Sequence, residues 1–110
     1  MEGIRAVVPR FVTNSGEEKF SQWSKRFKER FGRNPLYTDA YSYDMVSIIH
    51  DTSKRLKLPA TSQQWIEALR ATNLEGITGS LSFDKDGDLV TPLEIGVFRN
   101  GKIVVDDKVR

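Results

Sequence analysis

The sequence predicts a single α/β domain in which helices pack on a sheet, and three observations lead to this fold class. Residues near both ends of the chain are apolar in short runs or alternate at period two, which is typical of strands. Three segments in the middle place apolar residues at helical spacing. The 110 residues, of which 38% are hydrophobic, are enough for one core and contain no internal repeat or linker. The order β, α, α, α, β, β, β favours an α/β layer structure.

The first elements are a short strand and a helix. A strand is predicted over residues 2–9, because Pro9 donates no backbone hydrogen bond and ends a strand or places it at an edge. Residues 10–14 are expected to be extended. Ser15 and Glu18 have the spacing of a capping box, so the first helix is predicted over about residues 16–31. Gly32 is expected to end this helix in a left-handed conformation.

The first helix has an aromatic stripe and a basic face. The aromatic residues recur at spacings of three and four and are predicted to lie in the core: Phe20, Trp23, Phe27 and Phe31. The basic residues interleave with glutamates and are predicted to form a solvated face: Lys19, Lys25, Arg26, Lys28, Arg30 and Arg33. The formal net charge is only +2, so we predict no nucleic-acid partner.

Two more helices are predicted before the last strands. Thr38 or Asp39 is expected to cap the second helix after a turn at residues 34–37. Its predicted buried face is broad and apolar: Ala40, Tyr43, Val46 and Ile49, with Met45 and Ile48 beside them. Thr61 and Gln64 have capping-box spacing and predict a third helix over about residues 62–72, after which residues 73–76 lead into a strand. The apolar side of this third helix contains Trp65, Ile66, Ala68 and Leu69.

The last part of the chain predicts strands joined by tight turns. Residues 77–83 and 93–97 alternate at period two, and the acidic segment 84–88 between them forms a turn in which Gly87 accepts a positive φ. Asn100-Gly101 lies between two apolar runs, and this dipeptide favours a type I′ hairpin turn.

Several motifs in this order resemble a known family. Residues 76–88 read G-x-T-G-x-L-S-F-D-x-x-G-D and are followed by a strand that ends in GVF. Upstream there is a helix that ends in Phe-Gly, then Pro-x-Tyr, then AYSYDMV. Together they resemble the C-terminal signature of the type I periplasmic solute-binding proteins, in the Leu/Ile/Val-binding branch. The resemblance implies that residues 1–110 are a single domain, the C-terminal part of a two-lobe protein with a partial lobe of that fold.

The resemblance also implies a function. Such a protein is the solute-binding component of an ATP-binding-cassette importer, is periplasmic or extracellular, delivers its solute to a membrane permease, and traps an amino acid or similar small polar solute by hinge closure. In that family the start of the second helix lies near the hinge and the ligand cleft. The residues implied for ligand binding are therefore Tyr37, Thr38, Asp39 and Tyr41. The alternative is that Thr38 and Asp39 only cap the helix and the tyrosines only pack.

The sequence offers no catalytic or metal-binding constellation, so we predict no enzyme activity, no metal and no cofactor. The chain has no cysteine, and His50 has no partner residue at a metal-ligand or general-base spacing. The acidic turn begins like a calcium-binding EF-hand loop, but its sixth and twelfth positions hold Leu89 and Ile95 instead of Gly and Glu. We therefore interpret it as a plain turn.

Two further expectations concern partners. Sheet edges left open in a partial lobe favour pairing with a second copy, so a homodimer through these edges is predicted. The alternative function is a stand-alone α/β interaction module whose basic helix or C-terminal tail, residues 99–110, binds a protein or an anionic partner.

Overall fold

A computed structural model describes residues 1–13 and 18–106, and it divides into two compact units. The first unit contains residues 1–34 and the chain from residue 92 onward, and the second contains residues 35–91. Ser15, the predicted cap of the first helix, lies outside the described residues. In chain order the elements are β1 (Arg5–Pro9), α1 (Arg10–Thr13), α2 (Glu18–Phe31), α3 (Tyr37–Arg55), α4 (Ser62–Arg70), β2 (Asn73–Gly76), β3 (Gly79–Phe83), β4 (Leu89–Val90), β5 (Leu93–Arg99) and β6 (Lys102–Val105). The predicted α/β class is confirmed.

The first unit is built on an antiparallel sheet with strand order β1-β5-β6. Pro9 is the last residue of β1, which lies at the edge of this sheet as predicted. Asn100 and Gly101, between β5 and β6, both have positive φ, at 52° and 76°. Positive φ at both central residues defines the type I′ turn, so the hairpin prediction from Asn-Gly is confirmed.

The prediction of extended chain after Pro9 is wrong. Residues 10–13 form the single helical turn α1, which buries Phe11 and places its ring 5.3 Å from the ring of Phe20. The N–H of Arg10 donates to the carbonyl of Pro92 at 3.0 Å. Burial of one large aromatic side chain, together with this hydrogen bond, outweighs the weak helical signal of so short a segment.

The aromatic stripe of α2 is continuous but only partly buried. Successive ring centroids from Phe20 to Phe31 lie 5.7, 5.4 and 4.6 Å apart. Trp23 is buried, whereas Phe31 is exposed, so the prediction that all four rings lie in the core is wrong at the helix end. Gly32 has a φ of 71° and its N–H donates to the carbonyl of Lys28 at 2.8 Å, which confirms the predicted left-handed end of the helix.

The second unit has a separate antiparallel sheet with strand order β2-β3-β4. Asn73–Gly76 was predicted only to lead from the helix into a strand, but it is itself strand β2. The predicted strands 77–83 and 93–97 belong to different sheets, because β3 turns back after residue 88 and pairs with the short β4. The acidic turn that reverses the chain is closed by Asp84, whose Oδ1 accepts from the N–H groups of Asp86 and Asp88 at 2.9 and 3.0 Å.

Helix α3 buries a different face from the one predicted. The buried residues recur every four positions and are Ala40, Asp44, Ile48 and Thr52. Tyr43, Val46 and Ile49, which were predicted to be buried, are exposed. The prediction failed because the polar Asp44 and Thr52 were not counted toward a buried stripe.

Asp44 is buried because its carboxylate binds the turn between β2 and β3. Oδ1 accepts from the N–H of Ile77 at 2.9 Å, and Oδ2 accepts from the N–H and the hydroxyl of Thr78 at 2.9 and 2.5 Å. Both turn residues are themselves buried. A Cβ at Gly76 would lie 2.5 Å from Oδ2, so only glycine leaves room for the carboxylate there. A buried carboxylate with three donors is well compensated, and it fixes the hairpin to α3.

Helix α4 follows its sequence signals closely. Thr61 and Gln64 form the predicted capping box, with the Gln64 N–H donating to Thr61 Oγ1 at 3.2 Å and the Thr61 N–H donating to Gln64 Oε1 at 2.8 Å. The helix ends at Arg70, two residues earlier than predicted, and Ile66 is exposed rather than part of the packed side. Arg55, at the end of α3, donates to the carbonyl of Ala68 at 2.9 Å and so joins the ends of the two helices.

We predict that Asp44→Asn lowers the free energy of unfolding by about 2–4 kcal/mol, because the amide replaces a charged acceptor and turns its NH₂ group toward backbone donors. Urea denaturation followed by circular dichroism measures the change. Asp51→Asn is the matched control: Asp51 lies on the same helix but in an exposed ion pair with Arg55, and the expected loss is less than about 1 kcal/mol. Equal losses for the two variants would contradict the role given to Asp44.

Candidate functional site

The candidate site lies at the beginning of α3, inside the second unit. Helix α3 starts at Tyr37 because Pro35 precedes it and Leu36 takes the N-cap position, with φ −90° and ψ 166°. The prediction that Thr38 or Asp39 is the cap residue is therefore wrong. Asp39 occupies the third helical position, where its Oδ2 accepts from the Leu36 N–H at 2.7 Å. The carboxylate thus stabilises the helix start from inside the first turn.

The side chains of this first turn bring two aromatic rings and a hydroxyl group together. The rings of Tyr37 and Tyr41 pack edge to face with centroids 6.5 Å apart. Tyr37 is 59% exposed and Thr38 is exposed, whereas Tyr41 and Asp39 are half-buried. The four residues named from the sequence therefore lie on one helix end with part of their surface open to solvent.

Thr91 is a fifth member of this cluster that sequence reasoning missed. Its Oγ1 lies 3.4 Å from the hydroxyl oxygen of Tyr41. Thr91 is 50 residues away in the chain, next to Pro92, and no periodicity or motif in the sequence connects it to Tyr41. The only signal that could have found it is tertiary, because the short strand β4 returns the chain to this place.

The chemistry of the cluster suits non-covalent binding. The N–H groups of a first helical turn have no acceptor within the helix, and the helix dipole favours a negative charge in front of them. The two tyrosine rings offer apolar surface with polar tips, and the Asp39 carboxylate attracts a cationic group. No nucleophile and general base lie together in this cluster, so the arrangement has the means to hold a small molecule but not to transform one.

Two other places in the described residues are weaker candidates. A shallow groove of 330 Å³ on α2 is lined by Phe20, Ser21, Ser24, Lys25 and Lys28, all from one helix, with no buried polar group directed into it. Within residues 1–13 and 18–106, no group of three or more His, Asp or Glu side chains is arranged to hold a metal ion. In the same residues, no helix is both long and apolar enough to cross a membrane.

Comparisons with known proteins give no match to the sequence but consistent matches to the fold. No protein-family model matches the sequence, and no curated protein sequence does. Among solved structures, the chain is similar to a protein from Rhodospirillum rubrum described as a branched-chain amino acid ABC transporter, at 26% identity and a TM-score of 0.75. It is also similar to a substrate-binding protein from Desulfitobacterium hafniense in complex with Leu, at 19% identity and a TM-score of 0.79. A third is a solute-binding protein from Rhodopseudomonas palustris in complex with 3,4-dihydroxybenzoic acid, at 17% identity and a TM-score of 0.76.

These matches cover nearly all of this chain but only part of the other proteins. Each covers 96% of this chain, which spans 31%, 31% and 30% of the length of the three proteins. The class of fold is therefore that of the α/β solute receptors. More particularly, the chain has the fold of part of a type I substrate-binding protein of an ABC transporter, and the resemblance inferred from its motifs is confirmed.

Proposed function

We propose that this chain is a C-terminal portion of the solute-binding component of an ATP-binding-cassette importer, and that it contributes to binding an amino acid or a similar small polar solute by hinge closure. The observation that carries the proposal is the match to the Rhodospirillum rubrum structure over 96% of the chain. The mechanism is binding and release without covalent chemistry, in agreement with the candidate cluster, which has aromatic and hydrogen-bonding groups but no nucleophile and base together.

The ligand class is supported by what the similar structures contain. The Desulfitobacterium hafniense structure contains Leu and the Rhodopseudomonas palustris structure contains 3,4-dihydroxybenzoic acid. Both molecules have a carboxylate and an apolar or aromatic part. In our proposal, backbone N–H groups at Tyr37 and Thr38 receive the carboxylate, and the rings of Tyr37 and Tyr41 pack against the apolar part. Asp39 holds the helix start in place and attracts the ammonium group of an amino acid.

The cellular setting and partners belong to the same proposal. The chain acts in the periplasm or outside the cell, as part of a receptor that passes its solute to a membrane permease. Residues 1–110 as one domain at the C-terminal end of a two-lobe protein remain a prediction. A homodimer through the edges of the sheets also remains a prediction, supported by the edge positions of β1 and β6 in one sheet and of β2 and β4 in the other.

We predict that the chain alone binds amino acids weakly, because it spans about 31% of the length of the first similar protein and many ligand contacts lie outside it. Amide-resolved NMR with increasing leucine should shift the resonances of Tyr37, Thr38 and Tyr41 without saturating in the micromolar range. Leucinamide, which lacks the carboxylate, is the matched control and should leave the Tyr37 and Thr38 amides unshifted.

Two results of this titration would contradict the proposal. Saturable micromolar binding would show that the chain is a complete receptor by itself. Equal shifts with leucine and leucinamide, or shifts confined to residues outside α3, would exclude the start of α3 as the carboxylate site.

The alternative function is an interaction module that binds an anionic or protein partner through the basic face of α2. The exposed Arg30 and Arg33 support this, but each lies over an aromatic ring of its own helix, at 5.7 Å from Phe31 and 4.9 Å from Phe27. Glutamates interleave with the cations, so the face has no strong single-sign field. Salt-sensitive binding to an anionic partner, with no effect of small solutes, would favour the alternative.

A further inference from the structure

The sheet of the first unit has apolar residues on both faces, although only one face is covered. Residues paired across antiparallel strands lie on the same face, so the pairs Val7 with Ile95, Pro9 with Leu93, and Val97 with Val104 define one side. The opposite side is covered by α1: a Cβ at Gly96 would lie 3.3 Å from the side chain of Thr13. An antiparallel sheet with one solvated face normally carries polar residues there.

The uncovered side instead carries four large apolar residues, which we call the open sheet face: Val7, Leu93, Ile95 and Val104. Val7 is 69% exposed and Leu93 is 58% exposed. Each of the three strands contributes at least one of them. Adjacent exposed side chains on neighbouring strands form a continuous apolar patch, and such patches on soluble proteins mark interaction surfaces.

The second unit has an uncovered apolar stretch as well. Tyr43, Met45, Val46 and Ile49 lie on α3 away from its buried stripe, and all four are exposed. Each unit therefore leaves one apolar surface open, which is more than the scattered exposed side chains of an ordinary surface.

We propose that the open sheet face is the docking surface for amphipathic helices from the part of the substrate-binding fold that this chain does not contain. The similar structures hold the same elements within proteins of which this chain spans about 31%. Four side chains are too few to supply the about 800 Å² per partner of a standard stable interface. A second copy docked on this face alone is therefore disfavoured, whereas the remainder of the fold is large enough to cover the α3 stretch as well.

The rim of the open sheet face defines the charge of the docking helices. Arg99 and Lys102 are paired across β5 and β6, and both lie on the same side as Val97 and Val104. Both are exposed. Acidic residues flanking the apolar stripe of the docking helix complement this rim, which adds specificity to the apolar contact. The inference rests on the fold and not on the proposed solute binding.

The test uses the whole 110-residue chain and a defined probe. The probe is the Rhodospirillum rubrum protein produced without the segment that this chain matches. Mixtures are analysed by size-exclusion chromatography with light scattering, and affinity is measured by fluorescence anisotropy. The expected result is an equimolar complex in which the amides of Val7 and Ile95 gain protection from hydrogen exchange.

Two lysine substitutions distinguish the docking surface from a general loss of apolar area. Val7→Lys should weaken the complex at least about tenfold, because it places a charge in the centre of the contact. Val90→Lys is the matched control: Val90 is 51% exposed, lies in the second unit outside the α3 stretch, and should change affinity by less than about twofold. The amide spectrum of each variant shows whether the fold is retained.

Three outcomes would overturn the proposal. The first is a folded chain that forms no complex with the probe in the micromolar range. The second is a complex that Val7→Lys and Val90→Lys weaken equally. The third is a homodimer that protects Val7 and Ile95 in the absence of the probe, which would make a second copy the occupant. None of these measurements involves a solute, so they leave the proposed solute binding to its own titration.

Discussion

The buried carboxylate of Asp44 is the interaction on which the second unit depends. One side chain from the middle of α3 satisfies the N–H groups of Ile77 and Thr78 and the Thr78 hydroxyl, all in a turn with almost no access to water. Burying this turn without such an acceptor would leave two backbone donors unpaired, at a cost of about 1–3 kcal/mol each. Asp44 therefore allows a hairpin turn, which usually lies on a protein surface, to pack against a helix.

The same interaction holds the candidate site in place. Tyr41 lies on the same helix as Asp44, and Thr91 follows the short strand β4 of the sheet that Asp44 anchors. The contact between the Tyr41 and Thr91 hydroxyl groups therefore depends on how α3 is fixed to that sheet. A binding group at a helix end is only as well positioned as the helix itself, and here a buried charged group provides the positioning.

The sequence predicted the local signals well and the tertiary pattern less well. Capping by Thr61 and Gln64, the end of α2 at Gly32 and the Asn100-Gly101 turn follow from rules that act within a few residues. The buried face of α3 could not be predicted from apolar periodicity, because the position of Asp44 is decided by a turn more than 30 residues away. The four candidate site residues were predicted to cluster from the resemblance to solute-binding proteins, but Thr91 was not, because only strand pairing brings it there.

The most direct measurement is hydrogen exchange at the amides of Ile77 and Thr78, read by NMR on the intact chain. If Asp44 anchors the hairpin, these two turn amides exchange as slowly as the amides in the centres of β2 and β3, and they lose this protection in Asp44→Asn. Exchange at the rapid rate of an exposed turn would contradict the account, because it would mean that the carboxylate does not hold the turn in solution.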